Sequence, residues 1–248
     1  MRLYKEFLDM RYRIISIMII LLILFFSVAP LQEQTVEISK NSEGLYNIIP
    51  EGFGELMEDW NFYIHSQWFG KNFGQMIPII AILFSFALFS REVEKNTIQF
   101  LLVRKNRDNV FRIKVLSVIS FFIVFIFLMA ILPFLYSVIM GKNYDIILTF
   151  KYMITDIIGG FLWLGLGVFF SVLFSDQIKP LVSSLGIFAL TTVLGMTFDI
   201  DFLNPYKYLL GSNIILGGNI DWGYSIFAIL MGTFFIFVSH TIFTKKDY

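Results

Sequence analysis

Apolar residues fill six stretches of this chain, residues 14–30, 72–90, 115–140, 157–174, 181–198 and 223–243, and none of the six holds Asp, Glu, Lys or Arg. Each is about long enough to cross a hydrocarbon layer ~30 Å thick at ~1.5 Å per helical residue. A bilayer core offers no water to unpaired backbone groups, so a spanning stretch must be a helix. One Lys or Asp at mid-depth costs roughly 2.5–3.5 kcal/mol on insertion scales, which makes six charge-free windows informative. The pattern predicts an all-α membrane protein with six transmembrane helices and a single transmembrane domain over residues 1–248.

The polar intervals carry their own periodicities. In residues 1–13, Leu3, Phe7 and Met10, continuing to Ile14, recur at helical spacing, with Arg2, Lys5, Glu6, Asp9 and Arg13 largely off that stripe. This predicts a short interfacial helix that turns into the first span. Ser27-Val28-Ala29 offers a small-x-small pattern, but Pro30 follows it, and the first stretch is expected to remain as a helix. In the acidic interval 31–71, Phe53, Leu56, Met57, Trp60 and Ile64 fall on one helical face, which predicts an amphipathic cap over the membrane. Trp60, Tyr63, Trp68 and Phe69 suit an interfacial aromatic belt. Lys151 interrupts the apolar residues 146–155, so that segment is expected to lie along the interface before the fourth helix. Gly159, Gly160, Gly165 and Gly167 cluster in the fourth span, where small residues let helices approach closely. Asn204-Pro205 should break any helix between the last two spans.

Charge adds an orientation. The chain is 57% hydrophobic with zero formal net charge, and its mean hydropathy is +0.74. The N-terminus, residues 91–114, residues 175–180 and the C-terminal tail hold 14 of the 19 Lys and Arg but only 7 of the 19 acids. The alternate loops hold the remainder, so one side nets +7 and the other −7. Positive loops stay inside, so both termini are expected to be cytoplasmic. The basic residues are split among membrane flanks and need no nucleic-acid reading.

The usual catalytic patterns are missing. No G-x-x-x-x-G-K-[ST], H-E-x-x-H or G-x-S-x-G occurs, and there is no cysteine. The acids of residues 31–71 are scattered without the calcium-loop pattern, so no metal site is expected. His65 and His240 are far apart, and His240 is expected to be packed or interfacial. Ion-coupled carriers usually place ionisable groups inside their helices. Here only Asp156 approaches a span, at the margin of the fourth.

The interval between spans two and three is the most specific local feature. Its polar start, with Glu92, Glu94 and Thr97, gives way to Ile98, Phe100, Leu101 and Leu102, and then to Arg104 and Arg107. Such a helix suits a groove on a partner; it equally suits the inner leaflet, with its basic residues near anionic lipid. Glu94, Thr97, Leu101-Leu102, Arg107 and Lys114 stand in the order of a pattern in type-2 ABC exporter permeases, which the chain resembles. Asn96 stands where that family often has Gly, a proline before the arginine is missing, and the spacing is about one residue shorter. Asn204-Pro205-Tyr206-Lys207-Tyr208-Leu209 also resembles the family's segment before the last span.

The resemblance implies a division of labour. A separate ABC ATPase subunit would bind ATP and Mg, this chain holding no cofactor of its own. Residues 91–107 would be the coupling element, and a second permease subunit would complete the path. The small size is similar to permeases that export amphipathic or antimicrobial peptides, such as phenol-soluble modulin exporters and lantibiotic-immunity transporters. Two other readings stay open: an immunity or sensor protein binding a cationic peptide without moving it, and a stand-alone channel or secondary carrier.

Overall fold

Among the described residues six long apolar helical segments form, one over each predicted stretch. The structure, a computed structural model, describes residues 3–42 and 53–247. Helix α1 (Leu3–Val28) passes through a short 3-10 turn at Ala29–Leu31 into α2 (Gln32–Ser42). Helices α3 (Phe53–Glu58) and α4 (Trp60–Gln67) lead through a π turn, Trp68–Asn72, into α5 (Phe73–Ser85). Two short helices, α6 (Ser90–Glu94) and α7 (Ile98–Arg104), precede α8 (Arg107–Ile139). Then come α9 (Ile146–Leu173), α10 (Ile178–Thr197), the small α11 (Tyr206–Leu209) and α12 (Ser212–Ile215), and α13 (Trp222–Lys245).

The fourth span, α9, is the axis of the bundle. Helices α5, α8, α10 and α13 all pack on it. Glycines set the closest approaches. A Cβ on Gly165 would stand 2.6 Å from the Gly232 carbonyl oxygen of α13, and one on Gly160 would stand 2.4 Å from the Phe122 ring of α8. The glycine cluster therefore packs helices together.

Three local expectations are corrected. The amphipathic N-terminal segment does not turn along the interface but is the start of α1, continuous from Leu3 to Val28. Met10 is buried and Ile14 half-buried on it, while the side chains of Leu3 and Phe7 lie outside the described residues. Residues 146–155 do not lie flat either; they are the first turns of α9. A helix tolerates Lys151 because its ammonium reaches the Gly218 carbonyl at 2.9 Å and the Asn219 amide oxygen at 3.3 Å. The aromatic residues of the cap do not face lipid headgroups. Trp60, Tyr63, Trp68 and Phe69 are buried, and protein groups satisfy their polar atoms.

Pro133 shows why they turn inward. Proline has no N–H, so the Met129 carbonyl four residues earlier in α8 loses its helical donor. The Trp68 indole donates to that carbonyl at 3.1 Å. One turn further on, the Ser137 hydroxyl donates to Pro133 O at 2.7 Å and accepts from Trp60 Nε1 at 2.7 Å. Asp59 breaks the cap into two helices by accepting from the Phe62 N–H at 2.8 Å. Met57, Trp60 and Ile64 are buried, whereas Leu56 is 49% exposed and off the packed face. The side chain of Phe53 and the acids Glu43 and Glu51 lie outside the described residues.

Candidate functional site

The interval between the second and third spans starts from a broken helix. α5 ends at Ser85, and a turn leads to Ser90. The freed N–H groups of Phe89 and Ser90 donate to one acceptor, the Ser171 hydroxyl of α9, at 2.8 and 3.2 Å. Non-helical backbone at membrane depth needs such a protein partner. Gly167 makes room for the break, since a Cβ there would stand 2.0 Å from Ser85 Oγ.

A buried ion pair fixes the turn between α6 and α7. Glu92 and Lys114 are almost fully inaccessible, and the Lys114 ammonium donates to a Glu92 oxygen at 3.1 Å. The other Glu92 oxygen accepts from the Thr97 hydroxyl, and the Thr97 N–H donates to Glu92 O at 2.9 Å. Asn96, in the left-handed region at φ +55°, reverses the chain between them. Asn enters that region more readily than most residues, so it serves where the resembled pattern has glycine. The acid that anchors this turn is Glu92. Glu94 lies at its edge and accepts from the Gln177 amide at 2.6 Å.

Helix α7 is thereby presented at the end of the bundle that carries the termini. Ile98 is its buried foot, and Leu101 and Leu102 are half-buried. Phe100 is 73% exposed and Val103 87% exposed. The side chain of Arg104 lies outside the described residues. Phe100 and Val103 thus form an exposed apolar pair on a helix whose foot is clamped.

The C-terminal tail closes the same end. Arg107 Nη1 donates to the Thr244 and Lys246 carbonyls at 3.1 and 2.6 Å. The Lys246 ammonium caps the last carbonyls of α9, Val172 O at 2.9 Å and Leu173 O at 3.1 Å, and burial pulls its pKa below the ordinary lysine value. His240 pairs with Asp108 at 2.8 Å, in keeping with a packed, interfacial role. Asp176 starts α10 by accepting from the Ile178 and Lys179 N–H groups at 3.1 and 2.9 Å. The bond from the Lys179 side chain, then those from the backbone, hold its carboxyl below the usual range.

Between α9, α10 and α13 an apolar cavity of about 150 Å³ opens, lined by Leu162, Trp163, Phe202, Tyr224 and Phe235 among others. The Trp163 indole N–H is buried with no hydrogen-bond partner among the described residues. Among those residues no group of three or more His, Asp or Glu side chains could hold a metal ion. Sequence patterns missed Ser171, a lone serine in an apolar run, and gave no sign that Asp156 is fully buried in α9.

Six apolar helical segments among the described residues, with a break in the second mended by the fourth, define a polytopic membrane protein. A family model described as ABC-2 family transporter protein matches residues 3–207. The chain belongs to that family and is a type-2 ABC permease, a transmembrane subunit of an ABC transporter that is not itself catalytic. No curated protein and no solved structure matches it.

Proposed function

We propose that this chain moves amphipathic or hydrophobic peptides out of a bacterial cell, driven by a separate ATPase subunit that docks on α7. The observation that carries this reading is the pairing of exposed Phe100 and Val103 with the buried Glu92–Lys114 clamp beneath them. A helix that must transmit movement needs an apolar outer contact and a rigid inner attachment, and α7 has both. ATP and Mg belong to the partner in this reading. Both termini face the cytoplasm, as the excess of Lys and Arg on that side favours. A second permease subunit completes the path, and the apolar cavity beside Trp163 offers space for a hydrocarbon side chain of the cargo.

The test is affinity purification of the full chain in mild detergent, with identification of the ATPase subunit that comes with it. Replacing Phe100 and Val103 by Asp is expected to lower ATPase affinity by about tenfold or more, because exposed aromatic anchors at interfaces are often worth about 2 kcal/mol. Unchanged binding by the folded double variant overturns the docking assignment. Peptide export by vesicles holding this chain alone, without nucleotide, overturns the ATP-driven reading.

A further inference from the structure

Asp156 lies about 15 Å along α9 from its first residue, and no part of it is exposed. Neither of its carboxylate oxygens has a hydrogen-bond partner among the described residues. An isolated charge in such a place is costly, so a carboxyl there must be neutralised by a cationic side chain, a metal ion or a proton. The surroundings decide among these.

None of the titratable or charged groups on the neighbouring elements bonds Asp156 among the described residues. On α9, one turn before Asp156, the Tyr152 hydroxyl donates to Gly211 O at 3.1 Å. On α4, His65 Nδ1 lies 2.8 Å from Asn61 O and Nε2 lies 3.2 Å from the Thr149 hydroxyl. Lys71 of the π turn is exposed. On α11, the Tyr206 hydroxyl donates to Gln75 O at 3.3 Å, Lys207 pairs with Asp201, and Tyr208 stacks on Tyr224 of α13 at 4.1 Å. No cationic side chain bonds Asp156 among the described residues. A metal ion needs several oxygen ligands, and no acidic or histidine cluster exists here among the described residues. A proton needs only the carboxyl itself.

The neighbouring backbone is irregular. Asp156 stands between Tyr152, whose ring stacks on Phe69 of the π turn at 4.8 Å, and Gly159, whose absent side chain admits Leu209 of α11. A π turn carries one residue more than an α turn needs, and single π turns occur often at functional sites. Gly70 in that turn faces the Leu210 carbonyl. The seam around Asp156 is therefore made of a π turn, a four-residue helix and glycine contacts.

We propose that Asp156 is a proton-binding site within the membrane, closed in this conformation and opened to water on the side opposite the termini when the π turn and the Tyr206–Leu209 helix part from α9. On opening, the carboxylic acid gives its proton to that water and becomes a carboxylate. On closing, it takes one back from the same water. No net proton crosses, but the balance of closed and open forms follows the acidity of that side. The assignment does not depend on the cargo or on the ATPase.

The test is infrared spectroscopy of the full chain in lipid nanodiscs at neutral pH. A carbonyl-stretch band of a protonated carboxylic acid is expected, absent from D156N and shifting only slowly in heavy water. ¹³C-aspartate labelling of the wild-type chain moves the same band, so the reading survives if D156N does not fold. Absence of any aspartic-acid band at neutral pH overturns the proposal, because Asp156 is then ionised beside another cation or water. A band that shifts at once in heavy water overturns the closed site.

Discussion

The Lys114 ammonium lies 3.1 Å from a Glu92 carboxylate oxygen, and both side chains are buried at the foot of α7. The pair joins the end of the second span to the start of the third across 22 residues. Taking one partner away leaves the other buried and uncompensated, at a cost of about 3–5 kcal/mol. K114M and E92Q are each expected to lower thermal stability in detergent and to loosen α7. The double variant E92Q/K114M should recover much of the lost stability, since neither charge is then stranded. Differential scanning fluorimetry of the three proteins reads this directly. Equal, additive losses would show that the two residues act apart.

Ser171 and Gly167 mend the break in the second span by different physics, and their variants should differ accordingly. S171A strands two backbone N–H groups at membrane depth and is expected to cost about 1–3 kcal/mol. The Phe89 and Ser90 amides should then exchange faster by hydrogen–deuterium mass spectrometry. G167A adds a methyl where Ser85 Oγ already stands. It should destabilise by a similar amount, about 1–3 kcal/mol, and G167A/S85A should regain part of it. S171A gains nothing from S85A, because its defect is a missing acceptor and not a collision.

The spans were legible because bilayer-crossing helices announce themselves by local apolarity alone. What stayed hidden depends on which neighbour arrives. Glu92 and Glu94 are alike in sequence, and only the place of Lys114 on the next helix makes Glu92 the anchor. Lys151 suggested an interfacial segment, yet a long side chain with acceptors at Gly218 and Asn219 lets α9 begin earlier. Asp156, at the margin of the fourth span by sequence, is fully buried through packing that no local pattern shows. Trp60 and Trp68 fit an interfacial belt by composition, but Pro133 creates an orphan carbonyl that draws Trp68 inward. The exposure of Phe100 and Val103 was not legible either, since the apolar run 98–103 showed only that some face would be covered.

Asp176 gives a pH dependence whose sign follows from its surroundings. The Lys179 side chain and the first N–H groups of α10 hold its carboxyl below the ordinary range. A carboxylate lowered in the folded state stabilises it above the unfolded pKa, and this is lost as pH falls through the folded one. The first turn of α10 should therefore lose amide protection below about pH 4, the ordinary range for aspartate. D176A should lack that protection at neutral pH as well, while D176N, a good helix-starting residue, should keep part of it without the pH response. A first turn that exchanges identically in all three proteins would mean that Asp176 does not hold it.

Arg107 should govern the C-terminal tail more than the fold. It donates to the carbonyls of Thr244 and Lys246, and Lys246 in turn caps the carbonyls that end α9. Hydrogen bonds from charged donors contribute about 1.5–3 kcal/mol each at best, and these lie partly open at the surface, so the smaller figure applies. R107A is expected to release the tail, leaving the six spans and the Glu92–Lys114 clamp in place. R107K keeps the charge but not the two-point geometry, and should release it nearly as far. Limited proteolysis checks this: cleavage near Lys245 and Lys246 should rise severalfold in both variants, with no change in melting temperature beyond a few degrees. A tail that stays protected in R107A would place its hold on Lys246 alone, and K246M would then be the variant that frees it.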